Sequence, residues 1–249
     1  MTEVFGNINS FVRCSALLTQ ETAFLIYMQG CVLRCLHCNA PEMFSCNVNK
    51  KMSVNDMMSE ISQTENFIKK GGVIISGGEP LIQVDFVTEL FKAVKQKGLK
   101  TTLDTSGALF NPADTSKIDI LLNYTDIVIL SIKHINSETN RKLTGQPNAN
   151  VLAFAKYLSA KNIPMRINYV AIPTVNSNRN HLLELGEFLA TLNNIKSLDV
   201  VPFINSELKY KSMNLEYRLS DIKTPSKEYV QNARDTILDA MRNCKKSGF

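Results

Sequence analysis

Three cysteines fall within eight residues, Cys31, Cys35 and Cys38, in the run Gln29-Gly30-Cys31-Val32-Leu33-Arg34-Cys35-Leu36-His37-Cys38. Thiolates at C-x3-C-x2-C spacing can converge from one loop on one metal centre. Cubane iron–sulfur clusters are held by thiolates and ordinarily use four. Three local thiolates with no evident fourth leave one iron open to a small molecule. The competing chemistry is structural zinc, which favours four ligands arranged as two spaced pairs. Here His37 lies between two cysteines already spent, and Cys46 is a fourth thiol only at some distance. Cys14, Cys46 and Cys244 are scattered, as small packing residues are. A second candidate is Ser76-Gly77-Gly78-Glu79-Pro80. Glycines let a backbone approach a ligand closely, and either carbonyls or a carboxylate can receive an ammonium group.

Elements able to position these residues alternate along the chain. Apolar runs at Phe24–Gln29, Val73–Ser76, Thr101–Asp104, Ile127–Ser131, Met165–Ile172 and Leu198–Val201 predict strands covered on both faces. Between them, Ser53 caps a helix that places Val54, Met57, Met58, Ile61 and Phe67 near one side. Asp85–Lys97 forms another, with Phe86, Val87, Leu90, Phe91 and Val94 inward and Gly98 ending it. Further helices fit 151–161, 180–191 and about 225–243, the last opened by Thr224-Pro225. Alternation without hairpins implies parallel strands joined by right-handed crossovers. Periodicity alone leaves an open doubly wound sheet and an incomplete barrel equally available.

Composition narrows the function class. At 249 residues, 44% hydrophobic and 20% charged, the chain can bury one sizeable core, and α/β barrels reach this length as a single domain. A net charge of +5 without any run of like charge argues against nucleic acid as a partner. The start MTEVFGNINS lacks a secretory signal's basic and apolar regions. No apolar run approaches the roughly 18 residues needed to span a membrane. The expectation is a soluble cytoplasmic monomer, in which clustered cysteines bind metal rather than form disulfides.

These residues resemble the radical SAM superfamily, whose signature is C-x3-C-x-Φ-C with Φ aromatic; His37 occupies the Φ position. The Gly77-Gly78-Glu79 run matches the family segment that binds the amino group of the methionine moiety. The similarity is closer to the short activators of glycyl radical enzymes, of the pyruvate formate-lyase type, and spans nearly the whole chain. It includes Val4-Phe5-Gly6, Ile8-Asn9-Ser10-Phe11, Gln29-Gly30-Cys31, Leu103-Asp104-Thr105-Ser106-Gly107, Phe154-Ala155-Lys156-Tyr157-Leu158, Tyr169-Val170 with Pro173, and Leu185-Gly186-Glu187-Phe188. The resemblance implies an α/β fold, a partial (β/α)6 TIM-type barrel making one core domain over 1–249, with the cluster loop at 30–39. It implies a [4Fe–4S] cluster on Cys31, Cys35 and Cys38, S-adenosylmethionine (SAM) bound to the open iron, and reductive cleavage to methionine and a 5′-deoxyadenosyl radical. That radical takes a hydrogen atom from a glycine Cα in a partner enzyme, with a flavodoxin or ferredoxin as electron donor. His37, Asn39, Ser76, Gly77, Gly78, Glu79 and Lys133 are the implied SAM-binding residues.

Four departures stand out. The family's D-G-P-G-I-R stretch aligns with Leu18-Thr19-Gln20-Glu21-Thr22-Ala23. Its L-D-x-K element reads Leu130-Ser131-Ile132-Lys133, so a site for Na+ or K+ formed by Asp104, Thr105 and position 131 loses a charge and should bind more weakly. The fifth-strand arginine aligns with Asn168, yet Arg166 lies two residues earlier, on the same face of a strand, and is expected to supply the missing cation. The family's P-Y-H appears as Pro202-Phe203-Ile204-Asn205, placing Asn205 near the adenosine without a titratable ring.

Overall fold

The computed structural model describes residues 3–18, 21–46 and 50–246. The chain gathers into two compact units, residues 1–32 with 42–129, and residues 33–41 with 130–249.

In the first unit, β2 (Ala23–Met28), β4 (Val73–Gly77) and β5 (Thr101–Thr105) run parallel. Two further strands, β1 (Phe5–Ser15) and β3 (Lys50–Ser53), add antiparallel in the order β3-β1-β2-β4-β5. Neither was expected from the sequence: β1 is largely exposed and bulged twice, so it lacks a continuous apolar signal. Helix α1 (Val54–Ser62) begins where expected, with a reciprocal Ser53–Asp56 capping box. It buries Met57 and Ile61, but Phe67 lies past its end and is 71% exposed, correcting the expected inward position. In α2 (Val84–Gln96) all five expected apolar residues are buried, and Gly98 follows at φ 72°. Asp126, ahead of β6 (Ile127–Ser131), proves structural: Lys95 pairs with it at 2.7 Å and the Thr101 N–H donates to it at 2.9 Å. Helix α3 (Ser116–Leu122) completes the unit.

The second unit takes the end of β6, then α4 (Ser137–Thr144), α5 (Ala149–Ala160), β7 (Met165–Ala171), α6 (Arg179–Ala190), β8 (Ile195–Pro202), α7 (Glu207–Ser212) and α8 (Lys227–Lys246). Strand order is β6-β7-β8, with β7 and β8 parallel. Helix α8 starts two residues later than Thr224-Pro225 suggested, because the Ser226 hydroxyl accepts from the Tyr229 N–H. Gly186 lets α6 and α8 touch, since a Cβ there would stand 2.5 Å from Ala240 Cβ. His134 and His181 pack ring to ring at 4.5 Å, and His134 is wholly buried. Among the described residues no helix is long and apolar enough to cross a membrane.

Candidate active site

Strand β2 ends at Met28, and the chain passes through Gln29 and Gly30 into Cys31. The parallel register pairs Met28 with Gly77, so the end of β2 and the Gly-Gly-Glu turn at the end of β4 are neighbours. Two backbone bonds stitch them together, from the Gly78 N–H to the Met28 carbonyl at 2.9 Å and from the Glu79 N–H to the Gly30 carbonyl at 2.8 Å. Only glycine tolerates this approach. A Cβ on Gly77, which has φ 116°, would lie 2.3 Å from Met28 N; one on Gly78 would lie 2.0 Å from Gly30 O and 3.3 Å from Cys31 Cβ.

Glu79 is wholly buried. Its carboxylate accepts from the Leu81 N–H (3.1 Å), the Thr105 hydroxyl (2.5 Å), the Ser106 hydroxyl (2.5 Å) and the Ser106 N–H (3.0 Å). The acid is therefore an internal fastener between the turn and the loop after β5. Nearby, the Ser76 hydroxyl donates to Asp104 at 2.7 Å. Burial, then the Asp104 charge, raise the pKa of Tyr27. Thus Cys31, Ser76, Gly77, Gly78, Glu79, Asp104 and Thr105 gather at adjoining strand ends of one unit.

In the second unit the rest of the cysteine run is strapped to α4. The Arg34 N–H donates to Thr144 O at 2.8 Å and the Leu36 N–H to Leu143 O at 2.9 Å. Cys38 turns back on Cys35 through its N–H at 3.1 Å, and Cys38 Sγ accepts from the Ala40 N–H at 3.4 Å. Lys209 Nζ donates to the Asn39 carbonyl at 2.8 Å. His37 is buried, and its Nδ1 has no hydrogen-bond partner among the described residues. Burial, and then the charge of Lys133, push its pKa down to about 3, so the ring is neutral.

The strand residues of this unit hold one another. Asn168 Nδ2 donates to the Ser131 hydroxyl at 3.2 Å. Arg166 shares the face of Asn168 on β7, as alternation required, yet its guanidinium is engaged by Asp199 at 2.7 Å and by the Ser197 hydroxyl at 3.2 Å. The Asn205 amide donates to Ser220 O (3.1 Å) and Ile222 O (3.2 Å) and accepts from the Glu207 N–H (2.9 Å), bracing the loop around α7. Of the three residues read as a cation site, Thr105 turns its hydroxyl to Glu79 and Ser131 receives Asn168. Thr19 and Gln20 of the altered loop lie outside the described residues.

Sequence reasoning missed three site residues: Gln29, Ser106 and Asp199. A lone amide ending an apolar strand was a signal for Gln29. Asp199 becomes visible only through the β7–β8 register, which sets it opposite Asn168.

The three cysteines are half-buried. Among the described residues, no group of three His, Cys, Asp or Glu side chains is placed to hold a single metal ion; in a cubane each thiolate takes its own iron. The donor chemistry fits that group: soft thiolates, an N–H aimed at Cys38 Sγ, and a glycine surface against Cys31 where any side chain would intrude.

The model of the Radical SAM superfamily matches residues 25–186. The pyruvate formate-lyase-activating enzyme of Listeria monocytogenes is 38% identical, the match covering 95% of this chain and 98% of that one. The pyruvate formate-lyase 1-activating enzyme of Escherichia coli K12 is 34% identical, covering 94% and 96%. Among solved structures, SuiB of Streptococcus suis bound to its precursor peptide SuiA has a TM-score of 0.66 at 23% identity, covering 89% of this chain and 46% of that one. A radical SAM methyltransferase from Sphaerobacter thermophilus has the same TM-score at 15% identity, covering 89% and 64%. The structural likenesses bear out the fold expected, the partial α/β barrel of radical SAM enzymes. The chain belongs to the radical SAM superfamily and, within it, to the family of the pyruvate formate-lyase-activating enzymes.

Proposed function

We propose that this protein activates a glycyl radical enzyme, pyruvate formate-lyase or a relative, by cleaving SAM and abstracting a glycine Cα hydrogen. The supporting observation is the Gly77-Gly78-Glu79 turn stitched to the strand end that launches Cys31, in a chain 38% identical across 95% of its length to a pyruvate formate-lyase-activating enzyme.

When bound, the [4Fe–4S] cluster supplies the single electron that breaks the SAM sulfonium C–S bond; a flavodoxin or ferredoxin replenishes it. Cys31, Cys35 and Cys38 hold the cluster. With the Glu79 carboxylate committed internally, the backbone carbonyls of the turn receive the SAM ammonium group. Lys133 takes the carboxylate or a ribose hydroxyl. His37, held neutral, offers its ring without adding charge. Ser76, Asn39, Asn168, Arg166 and Asn205 border the nucleoside, while Asp104, Thr105 and Ser131 make at most a weak Na+ or K+ site. The products are methionine, 5′-deoxyadenosine and a glycyl radical, and the protein works as a cytoplasmic monomer with one core domain.

The test is anoxic incubation of the reduced, cluster-loaded protein with SAM and candidate glycyl radical enzymes. A glycyl EPR doublet with matching 5′-deoxyadenosine is the expected result. Nucleoside without a doublet on any candidate points to another peptide or small-molecule substrate. An intact cluster that yields no 5′-deoxyadenosine sinks the catalytic reading in favour of a non-catalytic homologue.

A further inference from the structure

The segment that carries the three cysteines leaves the sheet at Gln29, and the chain returns at residues 42–45 with only a 3-10 turn, Pro41–Met43, as regular structure. One side chain spans that departure and return. Gln29 is 3% exposed, and its Nε2 donates to the Glu42 carbonyl at 3.0 Å and to the Ser45 carbonyl at 2.7 Å. These bonds cross 13 and 16 residues. A loop of that length loses considerable conformational freedom on closing, and the two bonds hold it closed.

The amide is itself fixed on every side. Gln29 Oε1 accepts from Asn9 Nδ2 at 2.9 Å, the Gln29 N–H donates to Asn7 O at 2.9 Å, and the Gln29 carbonyl accepts from Gln83 Nε2 at 3.0 Å. Gln83 also accepts from the Asn7 N–H at 2.6 Å, joining β1 to the same network. No other side-chain type places two N–H donors on one planar end beside an acceptor at this reach except asparagine, which is a methylene shorter. Gly30 completes the device: it adopts φ 97°, and a Cβ there would lie 3.0 Å from Cys46 Sγ on the returning limb of the loop.

We infer that Gln29 is a positioning residue for the iron–sulfur cluster, setting the span of the cysteine loop before metal arrives and retaining it afterwards. Neither a glycyl partner nor a particular SAM substrate enters this inference, so it stands or falls apart from the proposed function. Two variants test it. Gln29→Glu keeps the shape and the acceptor but removes both donors, leaving two carbonyls without their partner. Asn9→Ala leaves Gln29 intact and removes only the group that orients it, at a half-buried position where folding is not at risk. The readouts are iron release to a chelator under anoxia and the EPR spectrum of the reduced cluster with and without SAM. Release should accelerate about tenfold in Gln29→Glu and about threefold in Asn9→Ala, on the scale of one or two lost hydrogen bonds. The SAM-induced change in the EPR signal should broaden in both, while the melting of the cluster-free protein moves little in Asn9→Ala. Wild-type release and an unaltered EPR response in both variants would overturn the assignment. Should Gln29→Glu not fold, Asn9→Ala decides alone by the same two readouts.

Discussion

The turn Gly77–Glu79 and the polar row Ser131, Asn168, Arg166 and Asp199 are both set at strand ends or on strand faces, but they are held differently. At the turn, backbone meets backbone at a distance only glycine permits, and the buried carboxylate has four donors. In the polar row, side chains meet side chains: one amide–hydroxyl bond and one half-buried ion pair. The first arrangement has no slack, so the residue types are dictated. The second can be rebuilt by exchange among neighbours, and here the cation stands at 166 with a carboxylate at 199. A rigid turn and a tolerant row should therefore respond to substitution on different scales.

The largest effect is expected at the turn. In Gly78→Ala the new Cβ would meet the Gly30 carbonyl at 2.0 Å, so the strand end feeding Cys31 must shift. Displacements of that order cost about a hundredfold in rate, and 5′-deoxyadenosine formation should drop accordingly. Glu79→Ala strands the Thr105 and Ser106 donors, each unmet group costing about 1–3 kcal/mol, which denaturant titration would register. Near-wild-type behaviour in both would erase the contrast between the two regions.

In the polar row, Arg166→Ala should change stability by less than about 1 kcal/mol, because the pair is partly solvated. Its expected mark is on SAM affinity, a loss of about fivefold, whereas Asp199→Asn releases the guanidinium and tightens binding by about as much. Calorimetric titration of SAM into the cluster-loaded variants compares them directly. Equal affinities would make Arg166 purely structural.

How far these differences could be read beforehand depended on what each residue answers to. The six apolar strands and α2 were legible because continuous apolar runs and helical spacing report burial directly. Phe24, Ile26 and Ile75 had to be inside, and they are. Cys31, Cys35, Cys38 and the Gly-Gly-Glu run were legible because spacing carries their chemistry. Strand β1 was not, since a bulged antiparallel strand with one wet face has neither signal. Glu79 showed its position but not its partners, because Thr105 ends β5 and Ser106 opens the loop after it, 26 and 27 residues away. Asp199 required a register between two strands, and hydropathy does not encode register when both faces are covered.

A smaller effect should follow from restoring charge to the row. Ser131→Asp places a carboxylate where the hydroxyl now accepts from Asn168, and the Asn168 amide can still donate to it. The wild-type SAM-cleavage rate should differ little between K+ and tetramethylammonium, and the ratio should rise about threefold to fivefold in the variant, on the order of the effect of one added ligand charge. An unchanged ratio would mean that position 131 faces no cation.

The smallest expected effect lies outside both regions, at the buried His134, and it separates tight polar fastening from simple exclusion of water. Burial first, then neighbouring His181, push the His134 pKa down to about 4; Nδ1 accepts from the Asn136 N–H at 2.9 Å. The unfolded chain titrates the same ring near 6.5. Between those values the unfolded state binds the extra proton, so stability rises with pH through that window. The contribution is complete above about pH 6.5 and is lost as the pH falls toward 4. His37, depressed to about 3, adds in the same direction. His134→Asn preserves an acceptor for the Asn136 N–H but cannot titrate. It will lower stability at every pH by the volume it removes, so the diagnostic is the slope and not the offset. Unfolding free energy of cluster-free protein, taken at intervals from pH 7 to 4.5, should fall less steeply in the variant. Parallel lines would mean that His134 gains water, and its proton, before the protein unfolds.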